Sequence, residues 1–317
     1  MDRRILIGAR RWAIRISTPH RGFLRVLKER LPHYFRPARK DRPRADDIHF
    51  RFQRAQPETG TADGEDAPQS YPVENLGLSR SIRFKSGRIS VRVEKKRGVE
   101  DACLYHPCFL GPLSLALREF GATLAHGALV SRGKEDGILL LGRSGSGKST
   151  LSLAFLAKGF RYFSDEHPIL FSRGGRVMGS DFISRIALPP ASVRLFPELA
   201  GSLRWDGRRR KYLLDPDKAY PDRLGSACAV RTILFPRFSE TASLSARRLT
   251  PLELFQTLMT DDYFSLSSRN AIERGLSRRY LDLMGRLANQ ARGYALRYGP
   301  RDVRSLPDFV GRLPRIA

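Results

Sequence analysis

Cysteine is scarce: Cys103, Cys108 and Cys228 are the three thiols in 317 residues. An odd number without Cys-x-x-Cys spacing excludes a disulfide framework and a thiolate zinc site, and it suits a reducing cytoplasm. Acid is scarce as well. Asp and Glu number 32 against 57 Lys and Arg, which leaves a formal net charge of +25. Such a surplus suits an anionic partner. The arginines are spread over the whole chain, as GC-rich codon usage would spread them, and no reader motif accompanies them. That argues against specific nucleic-acid binding.

Long apolar runs are missing too. The run at 138–141 (ILLL) falls far short of the roughly 20 residues of a membrane-spanning helix, and 5–7 (ILI) is too short for a signal-peptide core. The composition is nonetheless 41% hydrophobic, enough to bury a sizeable core.

Periodicity places a strand at 12–16, an amphipathic helix at 21–31 stopped by Pro32, and a strand at 48–52. The helix carries Phe23, Leu24, Leu27 and Leu31 on one side and basic residues on the other. Such a face packs on a sheet or lies on a membrane surface, so peripheral membrane contact stays open. Residues 56–70 (QPETGTADGEDAPQS) read as a flexible acidic linker. Alternation at 80–85 and 88–94 around Ser86-Gly87 predicts a hairpin, and 112–120 a helix ending at Gly121. Further on, 128–131, 138–141, 161–163, 169–171, 230–235 and 294–298 read as strands. Residues 148–158, 252–259, 271–288 and 303–313 read as helices. The chain divides into 1–55, a strand-helix-strand segment; 56–70, the linker; 71–121, a hairpin and helix packing on the C-terminal domain; and 122–317, that domain, which carries a P-loop.

The P-loop is Gly142-Arg143-Ser144-Gly145-Ser146-Gly147-Lys148-Ser149, which satisfies G-x-x-x-x-G-K-[ST] at every fixed position, with Thr150 behind it. It comes after a buried-strand run and opens a helix, the context this motif requires. Wrapping a β-phosphate in backbone N–H groups needs close approach and tight turns, which Gly142, Gly145 and Gly147 allow. Lys148 reaches the β- and γ-phosphates, and the Ser149 hydroxyl suits Mg²⁺. Asp165-Glu166 closes the next strand, where a carboxylate could orient metal or meet an incoming hydroxyl. His126 precedes the strand expected beside the loop strand. Arg208-Arg209-Arg210-Lys211 come after Trp205-Asp206-Gly207 and could clamp phosphate or an acidic substrate; an exposed basic loop in an Arg-rich chain is the plainer alternative.

His126-Gly127, the P-loop, Lys158-Gly159-Phe160-Arg161 and Ser164-Asp165-Glu166 resemble the catalytic domain of HPr kinase/phosphorylase, within the phosphoenolpyruvate-carboxykinase-like P-loop group. Pro189-Pro190 and 230–235 (VRTILF) look like its divergent bacterial relatives, some encoded with lasso-peptide modification systems. The match is dense over 126–171. It implies an α/β P-loop kinase fold with a smaller N-terminal α+β segment, use of ATP and Mg²⁺, and phosphorylation of a serine on a small protein or peptide. It implies that His126 lies near the phosphates, that Asp165 orders the metal, and that Glu166 accepts the serine proton. The family usually has a second Asp at that last position. Its signature loop after the acids has no clear counterpart here, where Asp181 and Arg185 stand. A small-molecule hydroxyl kinase, a non-catalytic nucleotide-binding module and a homo-oligomeric assembly remain alternatives for the sequence alone.

Overall fold

The computed structural model describes residues 2–7, 12–18, 21–35, 46–54, 69–73, 78–85, 88–95, 98–260 and 278–314. The expected Ser86-Gly87 turn, residues 56–68 of the expected linker and residues 271–277 of the expected helix lie outside them. The chain is a mixed α/β protein of two compact units, one comprising 1–123 and 266–279, the other 124–265 and 280–317.

In the first unit, β1 (Asp2–Ile7), β2 (Trp12–Ser17), β3 (Asp46–Arg54), β4 (Gln69–Val73), β5 (Leu78–Lys85) and β6 (Arg88–Lys95) form a six-stranded sheet in the order β1-β2-β3-β6-β5-β4. The strands β5 and β6 pair antiparallel from Leu78↔Lys95 to Lys85↔Arg88. The strands β2 and β3, and β3 and β6, pair in parallel. Between β2 and β3 lies α1 (Arg21–Arg30). Its stripe of Phe23, Leu24 and Leu27 is buried, as is Leu31, while Arg25 and Lys28 are exposed. The apolar face of α1 therefore meets protein and is not free to lie on a membrane. A second helix, α2 (Gly111–Glu119), comes next, and β7 (Ala122–Leu124) leads into the second unit.

The second unit is organised around three parallel strands: β9 (Gly137–Leu141), β16 (Ala227–Phe238) and β18 (Arg292–Tyr298). On the β9 side, β8 (Gly127–Ser131) pairs antiparallel with β9, and β10 (Arg161–Ser164) pairs antiparallel with β8. On the β16 side, β12 (Arg176–Ser180) pairs with β16, and β11 (Ile169–Arg173) with β12. A short strand, β17 (Ser245–Arg248), pairs with β18. All five residues of β9 are buried, which explains its unbroken apolar run: both faces are covered. Helix α3 (Lys148–Ala157) packs against β8. Helix α6 (Pro251–Thr260) and the residues of α7 (Arg278–Gln290) from Tyr280 onward share a core with Leu129, Leu139, Leu141 and Ile233.

A separate three-stranded sheet, in the order β13-β15-β14, consists of β13 (Ile186–Leu188), β14 (Leu203–Asp206) and β15 (Lys211–Leu214). Short helices α4 (Pro190–Val193) and α5 (Pro216–Ala219) flank it, and α8 (Leu306–Gly311) lies near the C-terminus. The expected closing helix at 303–313 is thus confined to Leu306–Gly311, with Pro307 inside its first turn, where a missing N–H costs nothing. Among the described residues no helix is long and apolar enough to cross a membrane.

Candidate active site

Every candidate site residue lies in the second unit. The loop at 142–147 leaves the C-terminal end of β9 and enters α3. Its turns are left-handed at Gly145 (φ 86°) and Gly147 (φ 91°), a region that side-chain-bearing residues rarely adopt. Gly147 is constrained a second way, because a Cβ there would collide with the hydroxyl of Tyr298. That hydroxyl donates to the carbonyl of Ser146 at 2.9 Å. The end of β18 thus braces the loop from outside.

Lys148, the first residue of α3, is buried at 8% exposure. Its ammonium donates to the carbonyls of Gly142 at 2.5 Å and Arg143 at 3.1 Å. Burial lowers its pKa; the carboxylates of Asp165 and Glu166 pull it back up, and Lys211 pushes it down. Ser149 is half-buried at the same helix start, and the Thr150 hydroxyl is 2.7 Å from that of Ser192. Ser192 belongs to α4, so the helix behind the loop is pinned to the start of the smaller sheet.

Asp165 directly follows β10. It is 2% exposed, and neither carboxylate oxygen has a well-aligned donor. Burial pushes its pKa up to about 7; the nearby Ser149 hydroxyl opposes that, Glu166 adds to it, and Lys148 and Lys211 oppose it. Glu166 is half-buried. Its backbone carbonyl accepts from Gly127 N–H at 3.0 Å, and that of Pro168 accepts from Ala125 N–H at 2.9 Å. These two bonds straddle His126, so His126 and Glu166 sit on one seam. The His126 ring centroid is 5.9 Å from that of His167. Gly127 is the residue the seam demands, because a Cβ there would meet the Leu140 carbonyl at 2.5 Å.

The segment at 181–184 runs alongside the same strand end. Phe182 N–H donates to Phe163 O at 3.3 Å, and the Ser164 hydroxyl donates to Phe182 O at 3.0 Å. Asp181 is therefore beside the acidic pair in the chain path; its N–H donates to Ser226 O, and Arg185 is half-buried.

The basic run divides. Asp206 Oδ1 accepts from the backbone N–H groups of Arg208 and Arg209, and its carboxylate is 3.8 Å from the Arg209 guanidinium. Arg208, Arg210 and Lys211 are exposed, and Arg210 takes a left-handed φ of 51° to close the turn. Of the four, Lys211 is the one whose charge acts on both Lys148 and Asp165.

Two contributors escaped the sequence reading. Tyr298 registered there as a strand terminus, and Ser192 carried no motif. Tyr298 meets the loop, and Ser192 the helix behind it, only through tertiary contacts, so no local signal exists for either.

Among the described residues no group of three His, Cys, Asp or Glu could cage a metal. Neither a family model nor a curated protein matches the chain. Among solved structures it is similar to the HPr(Ser) kinase/phosphatase from Coxiella burnetii, at 14% identity over 60% of this chain and 93% of that one, with a TM-score of 0.32. Any functional reading therefore stands on the site's own geometry.

Proposed function

We propose that the chain is an ATP-dependent phosphotransferase that moves a γ-phosphate to a hydroxyl, that of a serine on a small protein or peptide. The observation that carries this reading is Asp165: a buried carboxyl, without an aligned donor, set against Ser149 and Lys148 at the start of the loop helix. A carboxylate removed from water costs stability unless a cation compensates it. Its retention beside a phosphate loop suits metal-assisted phosphoryl transfer.

The residues fit both ligands. Gly145 and Gly147 leave room for backbone N–H groups to face an anion at a helix N-terminus. Mg²⁺ takes one or two carboxylates and fills its shell with water and phosphate oxygens, so the lack of a three-residue cage among the described residues is compatible with it. Ser149 and Asp165 would hold the ion, which supplies charge neutralisation on the phosphates when bound.

The chain's own groups then have distinct tasks. The loop N–H groups orient the phosphates. Lys148, tethered to the Gly142 and Arg143 carbonyls, brings a positive charge to the β- and γ-oxygens. Glu166, half-buried on the His126 seam, accepts the acceptor's proton. The acceptor oxygen bonds to the γ-phosphorus, the bond from γ-phosphorus to the β-bridging oxygen breaks, and ADP departs. His126 lies near the phosphates. Lys211 adds positive charge at the rim, whereas Arg209 is turned back onto Asp206.

The test incubates the protein with γ-labelled ATP, Mg²⁺ and a library of serine peptides beside their alanine counterparts. Transfer to serine peptides alone, lost in Glu166→Gln, supports the reading. Label appearing only in inorganic phosphate, or equally on alanine peptides, refutes serine transfer.

A further inference from the structure

A cavity of about 40 Å³ opens beside residues at the other end of the three parallel strands, lined by Arg132, Arg231, Arg292, Thr232, Asp136 and Phe160 among others. That volume is several times what one water needs. Three arginines line the cavity, and Asp136 is the one acid among its lining residues. Like charges gathered in a cleft repel, so an arrangement of this kind is most favourable when an anion lies between them.

Each arginine is held rather than loose. Arg292 opens β18 and donates to Pro314 O at 2.8 Å and to the Thr232 hydroxyl at 3.1 Å. Arg132 lies over the Phe160 ring, its guanidinium carbon 5.0 Å from the centroid. Arg231 is placed by a fault in the sheet. Val230 pairs with Gly137 and Thr232 with Ile138, so Arg231 is an extra residue with no partner on β9. In a regular strand neighbouring side chains point to opposite faces; a bulge suspends that alternation. Here both Arg231 and Thr232 line the cavity. The acid nearest to Arg231 is shared: Glu135 is 3.8 Å from Arg231 and 2.6 Å from Arg176.

The cavity is separate from the loop. Arg292 and Tyr298 are the two ends of β18, six residue steps or about 20 Å apart at the usual rise, and Tyr298 is the end that touches the loop.

We propose that this cavity is a second anion site that binds a phosphate group through Arg132, Arg231 and Arg292, independently of the nucleotide loop. Rigid guanidiniums with paired N–H donors suit the oxygens of a phosphate, and the Thr232 hydroxyl adds a further polar partner. Such a group could arrive as inorganic phosphate or on a small phosphomonoester.

The experiment must silence the loop, which also binds phosphate. In Lys148→Ala protein, and separately in wild type saturated with a non-hydrolysable ATP analogue and Mg²⁺, inorganic phosphate and glycerol phosphate are titrated by calorimetry. Saturable binding of either is expected in both preparations, and the tighter of the two probes identifies the source. Adding Arg132→Gln and Arg231→Gln should weaken that binding at least about tenfold, the scale of one lost charge-assisted hydrogen bond. Both side chains are partly solvent-accessible, and Arg292, which ties down Pro314, is left in place. Absence of binding once the loop is blocked, or binding indifferent to the two substitutions, overturns the proposal.

Discussion

The hydroxyl of Tyr298 donates to the carbonyl of Ser146 at 2.9 Å, joining residues 152 positions apart in the chain. It ties the last strand of the parallel trio to the residue before Gly147, and it fills the space that a side chain at 147 would need. The loop's shape is therefore imposed from two sides, by its own glycines and by a distant tyrosine.

Removing that brace should loosen the loop without unfolding the domain. Tyr298→Phe loses one hydrogen bond, about 1 kcal/mol, and is expected to weaken ATP binding about fivefold by calorimetry. Gly147→Ala should abolish binding, since the new methyl meets both the Tyr298 hydroxyl and a φ of 91°. An alanine variant with wild-type affinity would show that the loop geometry is not what binds.

Asp165 gives a pH signature. Burial raises its pKa from 3.8 to about 7, so between those values the folded protein keeps a proton that the unfolded chain has released. The stability linked to that proton is full below about pH 4 and is lost as pH rises through 7. Asp165→Asn removes the titration. Its melting temperature, measured without nucleotide, should gain on wild type steadily from pH 4 to about pH 7 and then level off, while phosphotransfer disappears. A difference that is flat with pH contradicts a buried, proton-holding Asp165.

The sequence made the loop and the first acids legible because they are local. A glycine-lysine-serine pattern between an apolar run and a helix is one short window, and Ser164-Asp165-Glu166 ends the next strand. The pairing of β8 with the loop strand β9 was legible, and the rest of the strand order was not. Strand β10 pairs with β8 rather than beside β9, and that depends on long-range register. The small sheet was missed because its strands are only 3 or 4 residues long, too brief for a period to register, and β14 has no fully buried residue. The basic run likewise read as one cluster. Folding splits it, with Arg209 on Asp206 and Lys211 toward the site.

That split can be measured. Lys211→Ala is expected to cut turnover at least roughly tenfold, as loss of a transition-state charge partner does. Arg209→Ala should leave turnover near wild type. Equal effects from the two substitutions would return the run to a generic basic loop.

The Thr150–Ser192 contact should behave as a coupled buried pair. Thr150→Val or Ser192→Ala alone leaves a buried hydroxyl unsatisfied, at about 1–3 kcal/mol each, read from denaturant unfolding. The double variant should cost less than the sum of the two single ones. Strict additivity would mean that the hydroxyls do not interact.

The central claim is that the loop at 142–149 holds ATP and that Lys148 acts on its phosphates. Its most direct test is Mg²⁺-dependent transfer of γ-labelled phosphate, by wild type and by Lys148→Ala, to proteins of a lysate. A labelled acceptor is expected with wild type and none with Lys148→Ala at equal folded concentration. Undiminished labelling by Lys148→Ala would contradict the claim.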